Sequence, residues 1–467
     1  LLDRFQPSYV RVKSGSFGER SVGGRVSIHP GSANLSIYDS QYESVGNFRE
    51  NNKFVQDSYA LNASVPLGKL WTGTYFSLWS KADRGIAGST VYPSPAAGKT
   101  NDDWIHLLTV RGLSNWGRSE ISLGLTGSRE HYTNPDWSVN SRHRVSTRRL
   151  RALHRFLQRG PFQHTAVLEI IQHHVDSDDA GNHQELMGAI GILSQVRLKS
   201  TFLLSGSTRT GWNLQRGTFV VNGSLGLVWQ GNLQVLRSIL FNAGTSYRNP
   251  TFNDLYWEDP FGYSQGSPDL RPERGTSAHA GVELWPLGFE SLQVRATAYH
   301  FFTNDLIQWI PGVDFVYSPR NLSKTKSYGV MLTAALLPEK FPIRGAITTD
   351  QNRSRLLDDG ANGGKRLLYV PAVSHWAELT WATRLVDLNI SYRFLGQRRY
   401  SYVGESVLKA YDRLDLSLTG HVPPVYGLQP TIVLGVRNVQ NRVGQQSVYG
   451  YPEPERALFS TLTVALP

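Results

Sequence analysis

The chain alternates apolar and polar residues over short segments along nearly all of its 467 residues. In one such segment the apolar residues Val386, Leu388, Ile390, Tyr392 and Phe394 are separated by Asp387, Asn389, Ser391 and Arg393. A β-strand points successive side chains to opposite faces, so this segment has one apolar face and one polar face. Repeated strands of this kind predict either a soluble sandwich of two sheets or a barrel with lipid outside and a polar interior.

The connections between about 22 candidate strands alternate between tight turns and long polar loops, and this alternation is typical of outer-membrane barrels. Tight turns are predicted at residues 66–69, 114–117 and 383–385, among others. Long loops are predicted at residues 82–103, 132–140, 176–183, 248–276 and 304–324. A barrel places its short turns in the periplasm and its long loops outside, whereas a sandwich gives no reason for a strict alternation.

The tryptophans follow the same alternation. Trp71, Trp116, Trp229 and Trp285 lie at or beside short connections, and Trp104, Trp137 and Trp212 lie beside long ones. Two aromatic girdles at the two membrane interfaces produce this distribution. Tryptophans that cap a soluble core are the alternative, but they do not explain the alternation of the loops.

The amino-acid composition argues against several classes of protein. The mean hydropathy is −0.31, and no apolar run approaches the roughly 18 residues of a membrane helix, although a barrel needs no such run. The chain has no cysteine, which excludes disulfides, thiol catalysis and cysteine metal sites. Its net charge is +11, but the arginines are scattered through strands, so we expect no nucleic-acid partner. No nucleophile elbow or metalloprotease motif is present, so we expect no enzymatic activity.

Several motifs in the second half of the chain are arranged as in one family of membrane receptors. They are TSYRNPTFNDLY at residues 245–256, GSPDLRPE at 266–273, NDLI at 304–307, Asn321, YGV at 328–330, VRNVQNR at 436–442 and YPEPER at 451–456. In this order they resemble the TonB-dependent outer-membrane receptors, and within them the cobalamin-receptor-like branch.

The resemblance implies an all-β fold, a transmembrane antiparallel β-barrel of about 22 strands in the bacterial outer membrane. Residues 9–15 resemble a first barrel strand, so we expect residues 1–467 to form the barrel domain, with the family's N-terminal plug absent from this chain. The plug would then be a removed segment or a separate polypeptide, and coupling to TonB would pass through it.

The function implied by the resemblance is uptake of a scarce, bulky small-molecule ligand such as cobalamin, a siderophore or haem. The first alternative is a plugless pore or a structural barrel within a larger outer-membrane complex. The second is an outer-membrane enzyme, which only the length of the loops supports. No cofactor is expected for any of these functions.

Four aromatic residues in the longest loop are candidates for ligand contact: Tyr256, Trp257, Phe261 and Tyr263. Aromatic side chains provide a large contact area at a low entropic cost. The alternative is that this loop is mainly structural, because its proline and aspartate residues favour turns.

Arg149, Arg151 and Arg155 share one face of a predicted strand, opposite Leu150 and Ala152. Charges facing the middle of a bilayer are costly, so this arginine face is expected to line the lumen. It would attract an anionic ligand or pair with acidic residues of a plug.

Six residues of metal-binding type surround one predicted loop: His173, His174, Asp176, Asp178, Asp179 and His183. These side chains suit a metal ion, but polar loops are often rich in Asp and His without binding one. We therefore predict no metal site.

Overall fold

Twenty-two antiparallel strands close into one barrel in the computed structural model. The structure describes residues 7–466 apart from 159, 232, 287–290, 313–315, 340, 358–361, 403, 405 and 445–449. Closure pairs every strand on both sides, which satisfies the backbone hydrogen bonds of a chain surrounded by hydrocarbon. The expectation of an all-β barrel of about 22 strands is therefore confirmed. Among the described residues, no helix combines the length and the apolarity required to cross a membrane.

The strands lengthen from 7 residues in β1 to 18 residues in β7 and β8, and β11 to β13 are shorter again. The first twelve are β1 Tyr9–Gly15, β2 Glu19–Ile28, β3 Asn34–Ser44, β4 Phe54–Pro66, β5 Trp71–Gly85, β6 Gly98–Ser114, β7 Gly117–Asn134, β8 Val139–Phe156, β9 Phe162–Ser177, β10 Gly181–Leu198, β11 Phe202–Asn213 and β12 Thr218–Gln230. The others are β13 Leu236–Arg248, β14 Glu273–Leu284, β15 Leu292–Pro311, β16 Tyr317–Leu336, β17 Ile343–Leu356, β18 Val373–Ala382, β19 Val386–Leu395, β20 Arg398–Arg399, β21 Val407–Leu408, β22 Tyr411–His421, β23 Gln429–Arg437 and β24 Ala457–Ala465.

The barrel closes between its first and last strands, where Tyr9 faces Ala465 and Gly15 faces Phe459. The short strands β20 and β21 pair only with each other, in the loop between β19 and β22, and β19 pairs directly with β22. The single described α-helix, α1, spans Phe252–Tyr256 in the loop after β13.

Several predicted long loops are shorter in the structure. β5 and β6 remain paired up to Gly85 and Gly98, and β9 and β10 remain paired up to Ser177 and Gly181. The predictions of loops at residues 82–103, 132–140, 176–183 and 304–324 were therefore too long, although 313–315 lie outside the described residues. The physical reason is that the strands extend past the membrane, where both faces are polar and the alternation disappears while the backbone pairing continues.

The two faces of the barrel wall differ in chemistry. Leu123, Leu150 and Ile170 stand opposite one another on β7, β8 and β9 and are 45%, 41% and 41% exposed. Glu169 on the other face of β9 is only 5% exposed. An exposed apolar band around a polar interior is the arrangement of a barrel in lipid, so the apolar face is the outer one.

Candidate functional site

The loop between β13 and β14, residues 249–272, forms the main structured element at the long-loop end; we call it the cap loop. Its helix α1 begins with a capping box, in which the Asp254 amide donates to the Thr251 hydroxyl at 3.1 Å and the Thr251 amide donates to the Asp254 carboxylate at 2.9 Å. This reciprocal pairing satisfies amides that a short helix leaves free. The helix is thereby fixed at the base of the cap.

A small apolar cluster holds the cap loop against β15. Leu255, Leu270 and Ile307 are 2%, 7% and 9% exposed and pack together, with Tyr256 against them. In the described part of the chain this is the one cluster of buried apolar side chains, because a barrel wall buries little apolar surface against itself. The cap loop is therefore packed against the barrel through its own apolar side chains.

A charged network anchors both ends of the cap loop. Arg248 donates to both carboxylate oxygens of Glu273 at 2.8 and 2.5 Å, and the Ile307 amide donates to Glu273 at 2.8 Å. The indole N–H of Trp309 donates to buried Asp254 at 3.0 Å. Two-pronged arginine–carboxylate pairs are strong and directional, so they fix the geometry of this base.

Asn321 on β16 completes the attachment. Its side chain accepts from the Arg271 amide and donates to the carbonyl of Arg271 and that of Asp305, all at 2.8 Å. The motif residues thus join β13, the cap loop, β15 and β16 through mutual contacts. Their role in this structure is to hold the cap in place.

The four aromatic candidates of the cap loop divide into two pairs. Tyr256 stacks on His183 with ring centroids 3.6 Å apart, and Trp257 donates to the Ser264 hydroxyl at 3.1 Å. Phe261 and Tyr263 are 46% and 66% exposed at the tip of the loop. The first pair is engaged inside the protein, and the second is available for contact with another molecule.

Arg149, Arg151 and Arg155 lie on the inner face of β8, whereas Leu150 lies on the outer face of the same strand. Arg149 forms an ion pair with Glu169 of β9, to which Arg209 of β11 also donates at 2.6 Å. Arg151 faces Glu169 across the strand pair. The barrel itself therefore supplies one acidic partner for this row.

Glu169 and Arg209 were missed from the sequence. The alternation already places Glu169 on the polar face, between Leu168 and Ile170. Glu169 and Arg209 are 40 residues apart in the sequence, which gives no sign of their contact. The contact forms because β9, β10 and β11 are consecutive strands of the sheet.

A cavity of about 190 Å³ opens beside this ion-pair cluster, against β9 to β13. Glu169, Arg209, Asn213, Met187 and Tyr247 contribute to its lining. Asn213 is 3% exposed, and its Nδ2 has no hydrogen-bond partner within the described part of the chain. The lining offers N–H donors, a cation and a carboxylate, which suits a ligand or a side chain that carries oxygen atoms.

The histidines and aspartates that were assigned to one loop lie mainly on paired strands. His173 and His174 belong to β9 and His183 to β10, and Asp179 in the short connection lies 3.5 Å from His143. Among the described residues, no group of three or more His, Asp or Glu side chains is placed to hold a metal ion.

A family model described as "TonB dependent receptor-like, beta-barrel" matches residues 8–439. The chain belongs to this family. Membership, together with the closed barrel, places this TonB-dependent receptor barrel in the bacterial outer membrane.

Two curated relatives of the receptor are named Vitamin B12 transporter BtuB. The protein of Vibrio vulnificus is 35% identical over 94 residues, which are 20% of this chain and 14% of that relative. The protein of Photobacterium profundum is 30% identical over 148 residues, 30% of this chain and 22% of that relative. These matches cover only part of each relative's length, and they support the cobalamin-receptor-like branch.

Solved structures share the fold at low sequence identity. The ferric-catecholate import receptor Fiu of K12 E. coli has a TM-score of 0.79 and 13% identity, over 98% of this chain and 82% of that one. A mutant of the ferric enterobactin receptor PfeA of Pseudomonas aeruginosa has a TM-score of 0.80 and 13% identity, over 98% of this chain and 80% of that one. The copper transporter OprC has a TM-score of 0.79 and 11% identity, over 98% of this chain and 80% of that one. At these identities the likeness shows the barrel architecture.

Proposed function

We propose that the receptor imports a scarce, bulky small molecule of the cobalamin, siderophore or haem type across the outer membrane. The observation that carries this proposal is the cap loop, which Glu273, Asp254 and Asn321 hold in place at the long-loop end of a 22-stranded barrel. A diffusion pore has no need of a rigid cap at this position. The family and the BtuB relatives support the same class of ligand.

Ligand capture is assigned to the exposed tip of the cap loop, through Phe261 and Tyr263. Both rings are exposed, and Phe261 packs edge-on against Trp137 with centroids 5.8 Å apart. This neighbour limits the freedom of Phe261 before a ligand arrives, which lowers the entropic cost of binding. Trp257 and Tyr256 support the tip from inside.

The proposal includes a plug domain that fills the lumen and couples the receptor to TonB, either in the same polypeptide or as a separate one. A barrel of 22 strands encloses a lumen wide enough for a folded domain. Arg151 and Arg155 on the inner wall make no ion pair within the described residues, so they are available to acidic groups of a plug or to an anionic ligand.

Uptake measurements test the proposed function. Cells of the source bacterium that lack the receptor, complemented with the full-length gene, are supplied separately with labelled cobalamin, ferric siderophores and haem, with and without TonB. We expect the uptake of one of these ligands to require both the receptor and TonB. Uptake that is independent of TonB, together with large steady currents of the native assembly in planar bilayers, would replace the transporter with a pore.

Two variants separate ligand contact from support of the cap. The double substitution of Phe261 and Tyr263 by Ala should weaken binding of the transported ligand about tenfold or more without changing the thermal stability of the barrel. Trp257→Ala is the comparison, since it removes a ring that is bonded inside the cap. If the double variant binds as tightly as the wild type, the cap tip is not the capture site.

A further inference from the structure

Four arginines lie on the outer face of the barrel wall: Arg129 on β7, and Arg142, Arg144 and Arg148 on β8. We call them the outer arginine patch. Arg148 stands opposite Leu125, two residues from the lipid-facing pair Leu123 and Leu150, and on the same face. All four side chains are exposed.

The patch begins at the outer edge of the apolar band. Arg148 lies eight positions from Phe156, which is 43% exposed at the short-turn end of β8. At about 3.3 Å per residue and a strand tilt of about 40°, this separation is about 20 Å along the membrane normal, close to the height of about 25 Å of an apolar band. Arg144 and Arg142 lie still farther out.

Aromatic residues mark the same level independently. Trp104 on β6 pairs with Gly127 on β7, and Gly127 pairs with Ser146 on β8. Ser146 lies between Arg144 and Arg148 on the outer face, so Trp104 is at the level of the patch. The neighbouring Trp79 stacks on Tyr59 with centroids 5.4 Å apart. Such girdles lie at the membrane–water interface, so the patch straddles the headgroup level of the outer leaflet.

Within the described part of the chain, the positive charge of the outer arginine patch is not neutralised by ion pairs with carboxylates of the protein. Asp176 faces Arg144 and Asp102 faces Arg129, yet no ion pair joins Arg142, Arg144 or Arg148 to a carboxylate in the described part of the chain. Asp102 instead accepts a hydrogen bond from the indole of Trp79. On the inner face of the same strand, by contrast, Arg149 pairs with Glu169, and Arg151 faces the same carboxylate across the strand pair.

We propose that the outer arginine patch binds the phosphate groups of glycolipids in the outer leaflet. Guanidinium groups bind phosphate oxygens with two parallel hydrogen bonds and keep their charge at any physiological pH. Alternate residues of a strand are about 7 Å apart, so the three arginines of β8 form a ladder from the edge of the hydrocarbon outwards. Headgroup phosphates are the anions at that height, and they offset the cost of cations beside lipid. This binding is independent of the transported ligand.

Strand β8 offers a matched pair of variants for the test. The triple variant R142Q/R144Q/R148Q removes three charges from the outer face, and R149Q/R151Q/R155Q removes three from the inner face of the same strand. Full-length protein is purified from the outer membrane in mild detergent, and copurified phosphorylated glycolipid per protein is counted by mass spectrometry. Each surface arginine adds about fivefold to binding of anionic lipid, so three together account for about a hundredfold. We expect the outer variant to retain at least about tenfold less glycolipid than the wild type, and the inner variant to retain the wild-type amount.

A titration identifies phosphate as the recognised group. Delipidated receptor is titrated with detergent micelles that contain diphosphoryl lipid A or the same lipid after phosphatase treatment. Wild type should prefer the phosphorylated lipid about tenfold, and the outer variant should lose this preference. Heat-modifiable migration on gels verifies folding, and the double variant R142Q/R144Q serves if the triple variant does not fold. Equal retention by the outer and inner variants, binding that ignores phosphate, or loss of a copurifying protein in place of lipid would each overturn the proposal.

Discussion

Tryptophan rings occupy the space beside glycines of neighbouring strands at three places in the barrel wall. A Cβ atom added to Gly112, Gly127 or Gly188 would lie 2.1, 2.0 or 2.1 Å from the ring of Trp71, Trp104 or Trp212, respectively. The missing side chain is thus required by a close approach and not by an unusual backbone angle. Each glycine allows a bulky girdle residue to lie against the sheet.

Gly127→Val should therefore displace the Trp104 ring. Overpacking of this kind typically costs about 1–3 kcal/mol, and we expect a lower free energy of unfolding in lipid vesicles with a shifted tryptophan emission. Gly206→Val is the control, because the nearest atom to its added Cβ would be 3.5 Å away. Equal destabilisation by the two substitutions would mean that the loss of glycine, and not the ring, decides the effect.

Glu273 bears a large part of the attachment of the cap loop. Glu273→Ala removes the acceptor of the Ile307 amide and leaves Arg248 with only the more distant Asp254, at 3.8 Å. We expect the cap to lose about 1–3 kcal/mol of local stability. Protease cleavage of the cap on intact cells should become about tenfold or more faster, with little change in the barrel itself. Glu258→Ala, an exposed carboxylate in the same loop, should leave the cleavage rate unchanged.

The strand β19 shows how one element separates two environments. Ile390 stands between Leu379 and Leu416 on the outer face, and Ser391 stands between Glu378 and Asp415 on the inner face. Ile390→Arg should cost about 2–4 kcal/mol because the charge enters lipid, whereas Ser391→Arg meets carboxylates. Yields of heat-resistant barrel after refolding into bilayers measure both, and similar yields would contradict the assignment of the faces.

The topology of the whole barrel can be tested with single cysteines, since the chain has none of its own. Asp269→Cys lies in the cap loop, and Lys69→Cys lies in the turn between β4 and β5; both positions are exposed. A membrane-impermeant thiol reagent added to whole cells should label the first and spare the second. Labelling of Lys69→Cys alone would invert the orientation of the barrel.

The predictions from the sequence were most accurate where lipid imposes a strict pattern. β1 spans Tyr9–Gly15 as expected, and the turn at residues 383–385 separates β18 from β19. They were least accurate at the outer ends of the strands, because water on both faces removes the alternation that reveals a strand. The aromatic content of the cap loop suggested its candidate residues, which remain a prediction, and it did not indicate their division into a supporting and an exposed pair.

The sequence by itself determined the strand class, the approximate number of strands, the alternation of short and long connections and the family, since each depends on local order along the chain. Only the tertiary structure decided which charges meet. Glu169 reaches Arg149 and Arg209 because the closed sheet places β9 next to β8 and only one strand, β10, away from β11. It also distinguished Arg149, which pairs with Glu169, from the adjacent Arg148, which forms no ion pair within the described residues, because a side chain's environment depends on the face of the wall and on the neighbours across it.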